Sequence, residues 1–164
     1  MCETGSNQRG IFQQLKLGST AQTRKENERR LPVHPAHFDR IGEDLGGSIY
    51  LQSGYGADFG VPDSRLAPPV GGFRSRAELV AQCEVILLAK PLHEDPAELR
   101  EGQVLWGWPH CVQDAKVTQS AIDRRLTLIA FEAMNRWTRS GSFNHRHRPD
   151  RFFGASQSLL SFRS

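Results

Sequence analysis

Residues 24–35, RKENERRLPVHP, put Arg24, Lys25, Arg29 and Arg30 beside Glu26 and Glu28 before the chain turns to Leu31, Pro32, Val33, His34 and Pro35. An arginine presents a planar fork that pairs two-pronged with a carboxylate and stays charged when partly buried. Three more candidates follow apolar runs: Lys90 after VILLA (85–89), His110 after VLWGWP (104–109) and Glu132 after LTLIAF (126–131). A lysine ending a buried strand can donate to a carbonyl or carboxylate oxygen where charge develops. A histidine can donate to a ketone oxygen, or take a proton from a hydroxyl or amine near neutral pH. Together these types suit a small carboxylate, a 2-oxo acid or an amino acid. Each residue also has a plainer reading. Arg29 and Arg30 fit a solvated loop, Lys90 a snorkelling strand end, His110 a side chain bonded to backbone, and Glu132 a cap on a backbone N–H or a partner for an arginine. Arg24 and Lys25 are expected on the wet side of the loop, balanced by Glu26 and Glu28, with Arg30 turned inward.

The elements that must position these groups follow from periodicity and turn chemistry. Residues 15–18 (LKLG) read as a short strand running into the charged loop. Pro35 suits the first turn of a helix that Phe38, Ile41 and Leu45 continue until Gly46 and Gly47 stop it. Residues 48–52 (SIYLQ) read as a strand, and GYGADFG (54–60) as a loop. Ser75 with Glu78 forms a capping box for a helix through Leu79, Val80 and Cys83. Residues 85–89 are continuously apolar, as a strand buried on both faces of a parallel sheet must be. Residues 104–108 and 126–131 read as further strands, with a short helix between them capped by Thr118 and running through Ile122. Trp106 and Trp108 share a strand face and are expected to pack. Strands alternating with short helices predict an α/β fold, a small Rossmann-like parallel sheet flanked by helices. In such sheets ligands sit beyond the carboxyl ends of the strands. Four strand ends deliver the Arg29 and Arg30 loop, Lys90, His110 and Glu132 to that edge.

Length and charge narrow the classes. The 164 residues suit one domain. The formal charge of +3 is uneven, because residues 15–135 hold 14 Lys/Arg against 16 Asp/Glu while six arginines and one acid follow. The basic balance therefore belongs to the tail, and association with nucleic acid would rest on that tail alone, without a reader fold. Three cysteines without ligand or disulfide spacing suit a reducing, cytoplasmic setting. No run approaches membrane-spanning length, which argues against a membrane partner. Cys111 beside His110 lacks an orienting third group for thiol catalysis. His145 and His147 lack acidic or cysteine neighbours for a metal. The GYGADFG stretch has the wrong spacing for a dinucleotide fingerprint, so no cofactor-binding residue is assigned. Residues 1–14 are expected to be a flexible extension, 15–138 the domain, and 139–164 a basic disordered tail.

Five segments in order resemble one family: KENERRLPVHP (25–35), GYGADFG (54–60) with Asp63, VILLAKP (85–91), LREGQVLWGWPH (99–110) and LIAFE (128–132). The span 15–137 is similar to the N-terminal domain shared by alanine dehydrogenase, nicotinamide nucleotide transhydrogenase and the saccharopine-type and N5-(carboxyethyl)ornithine synthase-type enzymes. WGWPH (106–110) and AMNRWT (133–138) resemble the carboxyethylornithine synthase branch most. The resemblance implies an NAD(P)-dependent oxidoreductase of amino acid metabolism, performing reductive amination of a 2-oxo acid. By position, Arg30 matches the substrate-carboxylate arginine, Lys90 a substrate-binding and catalytic lysine, His110 the acid–base histidine, and Glu132 a substrate-side glutamate. The family reads lysine-glutamate-proline where this chain has Lys90 followed directly by Pro91. After residue 144 the chain departs from the family, which continues into the dinucleotide domain. The expectation is therefore a truncated, substrate-binding half that is inactive alone, binds no NAD(P) by itself, and has exposed apolar surface through which copies could associate. A non-enzymatic small-carboxylate binding module is the alternative.

Overall fold

The structure is a computed structural model describing residues 15–133, 135–137 and 143–145. The expected extension at 1–14 and most of the expected tail lie outside these residues.

Six strands form one parallel sheet: β1 (Leu17–Ser19), β2 (Ile49–Gln52), β3 (Gly72–Arg74), β4 (Val85–Leu88), β5 (Val104–Gly107) and β6 (Thr127–Ala130), in the order β3-β2-β1-β4-β5-β6. Every pairing between them is parallel. The α/β reading of the sequence is thus the observed architecture. The order reverses at β1: the chain leaves β1 for β2 on one side, and from β4 it steps through β5 to β6 on the other. Right-handed crossovers then place the two sets of connections on opposite faces. The point where they part, beyond the carboxyl ends of β1 and β4, is where sheets of this kind form their ligand crevice.

The two cores follow from this winding. On one face Leu51, Leu87 and Trp106 pack with Leu31, Val33, Phe38, Tyr55 and Leu66. On the other, Ile86, Leu88 and Leu105 pack with Leu79, Cys83 and Leu99. All four residues of β4 are buried, because alternate side chains enter different cores. Gly107 closes the sheet at its carboxyl edge: a Cβ there would lie 2.0 Å from the Leu88 carbonyl oxygen. Only glycine lets β4 and β5 approach so closely just before Lys90 and His110.

Several local expectations hold. The helix α3 (Arg76–Gln82) carries the Ser75 and Glu78 capping box. Others change. The run from Pro35 to Leu45 splits into a 3-10 turn (Pro35–Arg40) and a short helix α1 (Glu43–Gly46), because the chain extends at Ile41 and Gly42. Of the three apolar positions Phe38 is buried, Ile41 packs partly against the core and Leu45 is exposed. The helix α5 (Ala115–Asp123) starts at Asp114, whose carboxylate accepts the Lys116 and Val117 N–H groups, and not at Thr118. Thr118 instead donates its hydroxyl to the carbonyls of Cys111 and Asp114. Three elements had no strong signal: α2 (Asp63–Leu66), β3, and α4 (Glu94–Glu98). Beyond β6 lies a 3-10 turn (Phe131–Ala133), followed by an antiparallel hairpin of β7 (Asn135–Trp137) and β8 (Phe143–His145). That hairpin reaches into the span read as tail. No helix among the described residues is long and apolar enough to cross a membrane.

Candidate functional site at the carboxyl edge of the sheet

β1 ends in buried Ser19, and the loop after it begins with buried Thr20, whose backbone N–H and hydroxyl donate to the Leu87 carbonyl. It returns to the core at Leu31, Pro32 and Val33. Tyr55 locks the return: its buried hydroxyl accepts the Val33 N–H at 3.0 Å and meets Ser19 Oγ at 3.1 Å. Burial pushes this phenol up to about 12.

Between these anchors the cations separate. Arg29 is exposed, whereas Arg30 is half-buried. The Arg30 guanidinium forks onto Glu28, with Nε at 2.7 Å from Oε1 and Nη2 on Oε2. Glu28 is only 6% exposed. The hydrogen bond to Arg30 holds the Glu28 carboxyl below its usual range, and the same bond raises Arg30. Arg30 also stacks over Trp108 at 5.5 Å, and Trp108 rests on Phe131 at 4.5 Å. Trp106 packs in the core as expected, but Trp108 both packs and backs the arginine.

Lys90 stands at the end of β4. Its side chain forms no hydrogen bond or ion pair with any described residue. Desolvation lowers its pKa first, then the positive charges of Lys25 and Arg30, with Glu132 and Glu28 pulling the other way. Five charged groups from three chain segments therefore share one field.

His110 follows β5 with φ 48°, left-handed backbone that a non-glycine residue adopts only under constraint. The constraint is Glu132, whose Oε1 accepts the His110 N–H at 2.8 Å and lies 3.9 Å from Nδ1. The other oxygen, Oε2, is buried with no hydrogen-bond partner among the described residues. A buried carboxylate oxygen without a donor is costly and marks a place where a donor is expected to arrive.

Arg24 behaves unlike the rest of its loop. It is 47% exposed, as the wet-side reading implies, yet its head is bound to Asp95 and Glu98 and takes no part in the field around Lys90. Glu28 was expected to balance neighbouring charges loosely, and its role as the partner of Arg30 was missed. The one available signal was its spacing of two residues from Arg30. No group of three metal-ligating side chains occurs among the described residues.

The family described as alanine dehydrogenase/PNT, N-terminal domain, matches residues 21–144. The chain belongs to this family. It is 27% identical over 106 residues to N(5)-(carboxyethyl)ornithine synthase of Clostridium botulinum, covering 63% of this chain and 32% of that protein. To the alanine dehydrogenase of Methanococcus maripaludis it is 26% identical over 118 residues, covering 71% and 31%. The fold matches a transhydrogenase from Sinorhizobium meliloti with TM-score 0.63 at 20% identity, over 76% of this chain and 37% of that one. It matches an L-alanine dehydrogenase with TM-score 0.63 at 18% identity, over 78% and 35%. The chain spans about a third of the length of the curated relatives it matches. Five motifs at the expected order had pointed to this family from the sequence.

Proposed function

We propose that this domain binds a small 2-oxo acid or amino acid by its carboxylate at the carboxyl edge of the sheet, as the substrate half of an amino acid or opine dehydrogenase. One observation carries the reading: Lys90, whose ammonium makes no ion pair with any described residue, lies in the field of Glu132, whose Oε2 is buried with no donor among the described residues. A substrate that carries both an acceptor and a donor satisfies both groups at once. Lys90 takes the substrate carboxylate or carbonyl oxygen, and Arg30, oriented by Glu28 and Trp108, adds positive charge beside it. His110, fixed by Glu132, holds or moves the proton at the substrate oxygen or nitrogen. The names of the relatives support this substrate class.

Hydride exchange with NAD(P) is the chemistry a bound nicotinamide supplies in such enzymes. The glycine-rich loop among the described residues does not suit a dinucleotide. Its Gly54 N–H donates to the Asp63 carboxylate, and the N–H groups of Ala57, Phe59, Gly60 and Val61 close its own turns. Those donors are spent, so no step through a nicotinamide is assigned to this loop, and the chain alone is proposed to bind without turnover.

The test is a pyruvate titration of the whole chain beside Arg30→Ala and Lys90→Ala, followed by nuclear magnetic resonance. Saturation in the parent, with at least a tenfold loss in each variant, is expected. Equal binding by all three would sink the assignment. Oxidation of NADH or NADPH by the chain with pyruvate and an amine would overturn the claim of binding without turnover. A module that only senses carboxylates would retain binding after His110→Ala, whereas a proton-handling histidine changes the pH dependence of binding.

A further inference from the structure

Five residues past Lys90, the Asp95 carboxylate is 1% exposed and ties together three segments of the chain. Its Oδ2 accepts the Leu92 N–H at 2.7 Å, while its own N–H donates to the Leu92 carbonyl, bracing the turn that follows Lys90. Its Oδ1 accepts Arg76 Nη2 at 2.6 Å and lies 3.4 Å from Arg24 Nε. Glu98 completes the arrangement by accepting Arg76 Nε at 2.9 Å and pairing with Arg24 Nη2. Arg76 Nη1 also donates to the Gln22 carbonyl at 3.1 Å. The loop after β1 is therefore held at Gln22 and Arg24, immediately before Lys25 and the Glu28 and Arg30 pair.

We propose that Asp95 is a positioning residue that sets the separation between Lys90 and the loop cations Lys25 and Arg30. This rests on the reading of Lys90 and Arg30 as the carboxylate-binding groups. The physical argument is one of shared anchorage. The loop has no regular secondary structure between β1 and Pro35, and exposed ion pairs alone hold a loop weakly. A buried carboxylate bonded to both the Lys90 turn and Arg24 converts a surface pair into a fixed joint. Through it the turn after Lys90 and the loop after β1 keep one spacing.

The readout is the titration of Lys90 itself. The chain has four lysines, Lys16, Lys25, Lys90 and Lys116. Reductive methylation with carbon-13 formaldehyde keeps their charge, and Lys90→Arg identifies the Lys90 signal. The charges that act on Lys90 are those of Lys25, Arg30, Glu132 and Glu28, with Asp95 not among them. If Asp95 positions the loop, Asp95→Asn and Arg24→Gln both release Lys25 and Arg30 from Lys90. Its titration then moves up toward the ordinary lysine range in both variants, and pyruvate binding weakens at least tenfold in both. A bare charge effect predicts opposite signs, because one variant removes an anion and the other a cation. Opposite shifts, or no shift in either, would overturn the proposal. Should Asp95→Asn fail to fold, Glu98→Gln supplies the anion-removing arm from the half-exposed side of the network, with the same expectations. If the parent does not bind pyruvate, the functional reading falls, while the Lys90 titrations still decide whether Asp95 sets the spacing.

Discussion

Two charged clusters at the same edge of the sheet differ in how their charges are met. In the first, Arg24, Arg76, Asp95 and Glu98 form two cations against two anions, and every carboxylate oxygen named has a donor. In the second, among the described residues, Lys90 has no counterion in contact and Glu132 keeps a buried oxygen without a donor, while His110 is held in left-handed backbone. Composition does not separate the clusters, since both mix basic and acidic residues from distant parts of the chain. Compensation does. A network that satisfies itself gains by staying closed. One that leaves a cation repelled and an oxygen bare fits the proposed site, where a bound carboxylate would complete it.

That contrast can be broken experimentally, and the largest effect is expected in the closed cluster. Asp95→Asn removes a buried carboxylate that accepts from the Leu92 N–H and Arg76, while both arginines keep Glu98, and should cost about 1.5–3 kcal/mol of unfolding free energy, measured by urea denaturation. A loss below about 1 kcal/mol would show the network to be an ordinary surface feature.

Next comes Tyr55, which joins the loop return at Val33 to Ser19 of β1. Tyr55→Phe leaves the buried Val33 N–H without its acceptor and should cost about 1–3 kcal/mol at neutral pH. The pH dependence carries a definite sign. The folded phenol titrates at about 12, above its ordinary value of 10.0. Its contribution is therefore fully present below pH 10 and is lost as pH rises toward 12. The parent and the phenylalanine variant should converge by about 2–3 kcal/mol across that window. A constant difference from pH 8 to pH 12 would contradict the burial of this hydroxyl.

The smallest effect is expected in the open cluster. His110→Gly removes the left-handed penalty while residue 110 keeps the N–H bonded to Glu132. Stability should be unchanged or rise by up to about 1 kcal/mol, even as the proposed proton-handling group is lost. A clear destabilisation would mean that His110 is a structural residue, and the distinction between the clusters would fail.

The parts of this arrangement that could be read without coordinates share a short range. The capping box at Ser75 and Glu78 is chemistry within four residues, so its helix was visible. The apolar run at β4 announced burial on both faces, and the lysine that ended it followed. By contrast β3 is three residues with no period to detect, and it is a strand because β2 pairs with it. Asp114 and Thr118 are both competent caps by type, and the chain path before Ala115 chose between them. The partner of Arg30 was close in sequence yet unread, because Glu26 and Glu28 differ only in which is buried. Arg24 was read as wet and is half-exposed, but nothing near it in sequence pointed to Asp95.

The sequence by itself determined the strand cores, their alternation with helices, and the polar residues delivered to one edge, because hydrophobic period and turn chemistry are local properties. Only the tertiary structure decided which charges are matched and which are left open. Pairing depends on distance and on loss of solvent, and both are set by how β1, β4, β5 and β6 lie side by side.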